Sequence, residues 1–311
     1  MVSDVVRIGS SSDMLSKPAD RRISEKLIHV FLFLCASVSV LTTVGIVLVL
    51  LVETVQFFTE ISVFEFLTGT RWTPLLRPQH FGILPLLCGT VWVAVGAGII
   101  ALPLGLCTAI FLSEYASPRV RGIVKPLLEI LAGIPSVVYG YFAVVMISPL
   151  IRQVIPSADV FNAVSASLVL AVMILPMVVS LSEDMLRSVP GSLREAAYAL
   201  GSTKLDVTCR VVVPAALSGI IASFLLSVSR AVGETMAVTL AAGATPNLTW
   251  NPTESIQTMT AYIVQVSLGD TPAGSIEYRT IFAVGMTLFV TTLTMNILAQ
   301  WVLARYREDY E

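Results

Sequence analysis

Residues 27–52 read LIHVFLFLCASVSVLTTVGIVLVLLV, an unbroken run without one Asp, Glu, Lys or Arg. A helix that crosses a hydrocarbon core of about 30 Å needs about 20 mostly apolar residues, so this run is long enough to span a bilayer. Further charge-free runs of similar kind occupy 81–112, 130–151, 160–182 and 280–304, and a sixth apolar stretch, 214–243, is interrupted only by Arg230 and Glu234. The runs are apolar all round rather than alternating with period two, which excludes barrel strands of about 10 residues. The fold class is therefore an all-α membrane protein with six transmembrane helices, expected over about 27–55, 82–113, 127–151, 160–186, 214–243 and 279–304.

Composition agrees. Of 311 residues 55% are hydrophobic and 13% charged, against about 25% charged in a soluble domain, and such a chain cannot cover a soluble surface with polar side chains. Mean hydropathy is +0.84. The net charge of −2 carries no basic excess that would point to nucleic acid.

The placement of charge sets the orientation. Arg7, Lys17, Arg21, Arg22 and Lys26 precede the first span, Arg119, Arg121 and Lys125 follow the second, Arg187, Arg194, Lys204 and Arg210 follow the fourth, and Arg305 and Arg307 follow the sixth. Under the positive-inside rule these segments are cytoplasmic, and both termini lie inside. The intervening segments hold only Arg71, Arg77, Arg152 and Arg279. The first apolar run is too long for a cleaved signal, whose core is about 7–15 residues, so it reads as a retained helix even beside the Arg21-Arg22 pair. Residues 1–24 read as a mobile cytoplasmic tail and 25–308 as the membrane domain. Cys35, Cys88, Cys107 and Cys209 are expected as free thiols, His29 and His80 lack metal-ligand spacing, and neither cofactor nor metal is expected.

The loop 187–213 contains Pro190-Gly191-Ser192-Leu193-Arg194-Glu195-Ala196-Ala197-Tyr198-Ala199-Leu200-Gly201. Ser192 and Glu195 have the spacing of a capping box, the Ala and Leu positions favour helix, and Gly201 suits a left-handed stop. A second short helix is expected from Ser202 through Leu205 and Cys209 toward Pro214. No stretch matches the Gly-x4-Gly-Lys-Ser/Thr phosphate cradle, so the chain reads as a non-enzyme whose energy comes from elsewhere.

Arg230 and Glu234, four apart, are expected on one face of the fifth span with Arg230 near the bilayer centre. A central charge there costs about 2.5–3.5 kcal/mol on insertion scales, which favours a site facing protein or water. One reading is a structural ion pair that pins neighbouring helices. The other is an anion path in which Arg230 replaces lost hydration and Glu234 competes for the guanidinium. Ser229, Gly233, Ala237 and Ala241 form a small-residue ladder beside that face, as do Ala97, Ala101 and Gly105 in the second span.

Pro135 in the third span predicts a kink or unwound segment, and exposed amides at Pro135-Ser136 offer contacts to an anion. Glu129 is expected in the first turn of that span, complementing the helix dipole. Between Thr245 and Tyr278, the spacing of Ile256, Met259, Ile263 and Val266 predicts a short re-entrant or surface helix. Arg71, Trp72 and Arg77 in the outer loop 59–80 read as membrane-edge anchors or a docking ledge.

Glu195-Ala196-Ala197, three residues, Gly201, nine residues, then Val211-Val212-Val213-Pro214 resembles the signature loop of the membrane subunits of binding-protein-dependent ABC importers, with Val where that family usually carries Ile and Leu. Together with Leu131 to Gly140, Phe111-Leu112-Ser113-Glu114-Tyr115 and Ser229 to Ala237, it is similar to the phosphate-import permeases of the PstC family over about residues 25–308. The resemblance implies a MetI-like bundle in the bacterial inner membrane, with Leu193, Glu195, Ala196, Ala197, Leu200 and Gly201 in a helix that couples to the ATPase, and Leu205 as a further apolar anchor. It implies as partners a homologous permease chain (PstA-like), two ATPase subunits (PstB-like) and a periplasmic phosphate-binding protein (PstS-like), besides membrane lipid. The substrate path would run past Arg230, Glu234, Pro135 and Ser136. Phosphate is implied by the resemblance alone. A sulfate- or molybdate-type importer and an ATPase-independent anion transporter are the alternatives.

Overall fold

The computed structural model describes residues 19–306, and the predicted tail lies outside them except for its last residues, which open the first helix. The helices are α1 (Ala19–Glu60), α2 (Val63–Thr68), α3 (Leu84–Ile110), α4 (Pro118–Ala132), α5 (Ser136–Phe142), α6 (Ser148–Val154), α7 (Ala163–Ser188), α8 (Gly191–Ala199), α9 (Lys204–Val207), α10 (Val213–Ala215), α11 (Leu217–Val232), α12 (Met236–Ala242), α13 (Met259–Ser267) and α14 (Ile276–Tyr306). Single wide turns of π-helix continue α3 at Phe111–Tyr115, join α5 to α6 at Ala143–Ile147 and join α9 to α10 at Thr208–Val212. Among the described residues, five helical stretches are long and apolar enough to cross a membrane, at Lys26–Glu60, Leu84–Tyr115, Ser136–Val154, Ala163–Ser188 and Ile276–Val302. Lys204–Ala215 and Leu217–Val232, bent by 67° at Ala216, make a sixth if counted as one.

The chain divides into two units, one ending at Val52 and one starting at Glu53. In the first, α1 leaves side chains such as Leu27, Phe33 and Leu41 exposed, the surface of a helix whose surroundings are apolar. In the second, α3 and α7 pack most intimately and α11 lies against both. Small residues set that approach. Ala97 and Ala101 are fully buried, and a Cβ on Gly105 would come within 2.5 Å of Val178 Cγ1. The ladder predicted in the second span is therefore a packing seam against α7.

Two predicted spans are interrupted. Pro135 has no N–H and disfavours helical backbone at Ile134, so α4 ends at Ala132 and α5 starts afresh at Ser136. The third helical stretch long and apolar enough to cross a membrane is Ser136–Val154 rather than 127–151, and α4 is a separate helix with no buried residue. Glu129 consequently sits in the last turn of α4, not in a first turn, and the predicted dipole role is withdrawn. The fifth span breaks at Gly233–Thr235, so Ser229, Gly233, Ala237 and Ala241 do not form one ladder.

Partners for the freed backbone groups are local. The Tyr139 hydroxyl donates to Leu131 O at 2.7 Å across the first break, and the Thr260 hydroxyl donates to Glu234 O at 2.7 Å at the second. The two broken helices meet each other: a Cβ on Gly140 would fall 2.9 Å from Leu240 Cβ and 3.0 Å from Ala237 O, so only glycine lets α5 approach α12 this closely.

At the predicted outer end, the segment read as re-entrant forms α13, capped by Thr258 and buried along Met259, Tyr262 and Val266. Trp72 packs edge-on to Tyr262 with ring centroids 4.9 Å apart, in a cluster with Phe57, Phe66 and Phe81. It is a core residue, which corrects its reading as a membrane-edge anchor or docking ledge. Cys35, Cys88, Cys107 and Cys209 are free thiols.

Candidate functional site

A cavity of about 350 Å³ opens between α4, α7 and the end of α11, lined by Leu112, Lys125, Glu129, Met177, Glu183 and Arg230 among others. Arg230 reaches it because it falls in the last turn of α11, where a cation also complements the helix dipole. Among the described residues Arg230 has neither an ion-pair nor a hydrogen-bond partner.

The expected pairing with Glu234 is not formed. Helix α11 stops at Val232, so the two residues are not one turn apart on a continuous face. The Glu234 carboxylate instead accepts from the Ala237 N–H at 3.4 Å, in the first turn of α12. A carboxylate there satisfies an orphan donor and sits favourably at the helix start. Arg230 thus lines the cavity without an ion-pair partner among the described residues.

Besides Glu129, the cavity's other charges belong to a network that local sequence patterns do not single out. Glu183 on α7 is 1% exposed and is surrounded by Lys125 Nζ at 2.8 Å, Arg121 Nε at 3.5 Å and Arg187 Nη1 at 3.5 Å. Lys125 also lies 3.6 Å from Asp184, and its hydrogen bond to Glu183 pushes the ammonium above its ordinary range. A carboxylate at the end of an apolar run, with basic residues just beyond the preceding span, was the available signal. Glu183 is the one fully buried charge of the network, and three partly exposed cations share its compensation, so loss of any one of them leaves it paired. The network fixes α4 to α7 and places Lys125 on the same cavity as Arg230.

Pro135 and Ser136 lie at the α4–α5 break, Pro135 exposed and Ser136 half-buried. Neither lines this cavity.

The loop 187–213 folds as two short helices about a glycine corner. Gly201 has φ of +84°, and Gly201 N–H bonds Tyr198 O at 2.9 Å while Ser202 N–H bonds Ala197 O at 3.2 Å, the paired bonds of a Schellman stop. The expected capping box does not form. Pro190 is the N-cap, with ψ of 138°, and Ser192 lies within the first turn, because the extended entry at Pro190 starts the helix two residues early. The second helix is capped by Thr203 rather than Ser202, its hydroxyl oxygen accepting from Asp206 N–H. The same Thr203 hydroxyl donates to the Asp206 carboxylate at 2.6 Å and holds its pKa below the ordinary value.

Leu193 and Ala197 turn inward onto Leu186, Val207, Val212 and Ile220. Glu195, Ala196, Leu200 and Gly201 face outward with Leu205, and Leu200 is 88% exposed. The six residues expected to couple to an ATPase therefore divide into two that seat the helix and four that present a surface.

The family described as the binding-protein-dependent transport system inner membrane component matches residues 101–308. The chain belongs to this family. It is 33% identical to the probable ABC transporter permease protein YqgH of Bacillus subtilis, over 98% of this chain and 99% of that one. It is 32% identical to the phosphate transport system permease protein PstC of Mesorhizobium japonicum, over 78% of this chain and 79% of that one. Among solved structures it resembles the inward-facing MetNI methionine ABC transporter with a TM-score of 0.54 at 17% identity, covering 73% of this chain and 95% of that one, a likeness of fold. The chain is thus a multi-pass membrane component of an ABC transport system, a permease that works with ATPase and binding-protein components.

Proposed function

We propose that this permease is a subunit of an ATP-driven importer that carries inorganic phosphate into the cytoplasm across a bacterial inner membrane. The observation that carries the reading is Arg230, a cation without a carboxylate partner among the described residues, lining a cavity that also receives Lys125. A multiply charged anion leaving water needs such groups to replace its hydration, and Lys125, held by Glu183 and Asp184, adds positive charge without the grip of a second free cation. The relatives' names supply the substrate. Glu129 on the cavity wall adds chemistry that suits phosphate in particular. A carboxylate can accept a hydrogen bond from a protonated phosphate oxygen and repels sulfate, which at neutral pH has no proton to give.

In this reading the outward face of α8 and the corner at Gly201 seat on an ATPase subunit. The homologous second permease chain completes the path, a loaded phosphate-binding protein docks at the outer loops, and a PstB-like pair of ATPases drives alternation. In this reading the helix interruptions at Gly233–Thr235 and at Pro135–Ser136 border the path. Residues 25–308 form the membrane domain.

The test is competition. Labelled phosphate uptake by cells whose transport depends on this chain and its partners is expected to resist about a 100-fold excess of sulfate or molybdate, well within the discrimination of about 10⁴ that a site hydrogen-bonding a substrate hydroxyl can provide. Uptake suppressed by either anion as strongly as by unlabelled phosphate would assign the permease to a sulfate- or molybdate-type system.

A further inference from the structure

We propose that Arg194 and Glu114 form a positioning clamp that makes the loop helix α8 move as one body with the inner ends of α3 and α7. The proposal rests on the reading of α8 as the surface that seats on the ATPase. Such a surface transmits force only if it is fixed to membrane helices. A nine-residue helix has little stability of its own and cannot transmit force through a loose hinge.

Arg194 supplies the fixation. One guanidinium nitrogen, Nη1, donates to Val189 O at 2.5 Å, and the other, Nη2, donates to Leu186 O at 2.8 Å and to Glu114 Oε1 at 3.0 Å. Leu186 belongs to the last turn of α7, and Glu114 to the π-turn that ends α3. One side chain of α8 therefore holds two membrane helices. The pair is largely enclosed, with the Glu114 side chain 8% exposed. It is not one of the exposed ion pairs that contribute little.

The π-turn itself is built to be held. Ser113 donates to the same Glu114 oxygen at 3.0 Å, and Arg121 of α4 donates to Leu112 O and Ser113 O. Those carbonyls fall where the wide turn leaves the regular helix ladder. On the other side of the corner, Lys204 Nζ lies 4.8 Å from the centre of the Tyr115 ring, a second attachment of the same turn to α9. Both short helices of the loop are thus tied to Phe111–Tyr115, one by a charge-assisted hydrogen bond and one by a cation–π contact.

The geometry requires arginine. Three acceptors from three segments are reached by one planar fork, which a lysine ammonium on a single stem cannot reproduce. Arg194 also explains where α8 begins, since its bonds to Leu186 O and Val189 O hold the chain entering Pro190.

The experiment uses the complete transporter, with partner permease, ATPase and binding protein, in vesicles. Arg194→Lys and Glu114→Gln are compared with the parent for ATP hydrolysis, anion uptake and subunit content of the purified complex. The expected result is assembly and hydrolysis close to parental with transport per ATP reduced about tenfold, the scale of one lost hydrogen bond to a charged group. Lys204→Gln, which removes only the weaker attachment, is expected to reduce the ratio by less, about two- to threefold. An unchanged ratio in Arg194→Lys and Glu114→Gln would overturn the clamp. So would hydrolysis and uptake falling together in proportion to subunit loss, which is the signature of a purely structural bond. Should the parent complex carry another oxyanion, the phosphate reading fails and the same ratio is measured with that anion.

Discussion

Arg230→Ala is expected to lower ATP-dependent phosphate uptake by about 10- to 100-fold, the scale of a lost charge-assisted contact of about 1.5–3 kcal/mol, at normal abundance in the membrane. The expectation differs from the usual consequence of deleting a membrane arginine. A paired arginine leaves a stranded carboxylate and destabilises the fold, whereas Arg230 has no acid partner among the described residues. Its deletion therefore removes a contact to the anion and leaves the packing of Ala231 and Val232 alone. Arg230→Lys keeps the charge and is expected to retain a measurable part of the uptake. Initial uptake rates, normalised to permease in the same membranes, decide the matter. Parental rates in Arg230→Ala would remove this residue from the path.

Leu200→Asp is expected to release the ATPase with a loss of binding of about 10- to 100-fold, since burying a leucine side chain is worth about 1.5–3 kcal/mol and the substitution puts a charge in its place. Leu200 is the C-cap of α8, beside the left-handed Gly201, and projects from the chain almost entirely exposed. Because it is almost entirely exposed, the variant is expected to keep parental thermal stability within about 0.5 kcal/mol. Leu193→Asp is the contrasting case. Leu193 packs against the inner core around Leu186 and Val212, so its replacement is expected to unfold the loop itself. Co-purification of the ATPase with each tagged variant, beside its unfolding temperature, separates a lost docking surface from a lost fold. ATPase retained at parental level by Leu200→Asp would place the docking surface elsewhere.

The membrane helices were legible because a hydrocarbon solvent imposes one crude requirement, a long run without charge, and residues 160–182 and 280–304 meet it without ambiguity. The loop corner was legible because Gly201 adopts a backbone that other residues resist. Breaks were harder. Pro135 announced its own, but Gly233-Glu234-Thr235 carries no proline, and apolar residues on both sides read as one span. Assuming that continuity put Glu234 beside Arg230, whereas the helix ends between them and the carboxylate turns to the start of α12.

The capping box failed for a related reason. Its spacing was present, but an extended Pro190 and the grip of Arg194 on the preceding carbonyls fixed the helix start upstream. Glu183 and Glu114 were missed because each acquires its role from partners far away in sequence. Lys125 is 58 residues from Glu183, and Arg194 is 80 from Glu114. Local patterns report the backbone well and report such convergences poorly.

The most direct test of the central claim is labelled phosphate uptake in sealed right-side-out vesicles holding this chain with its partner permease and ATPase, with binding protein outside and ATP enclosed in the lumen on the ATPase side. The expected result is accumulation that requires both hydrolysable ATP and the loaded binding protein, and that falls to background in Arg230→Ala. Accumulation that persists without ATP, or a verified intact complex that hydrolyses ATP and moves no phosphate, would contradict it.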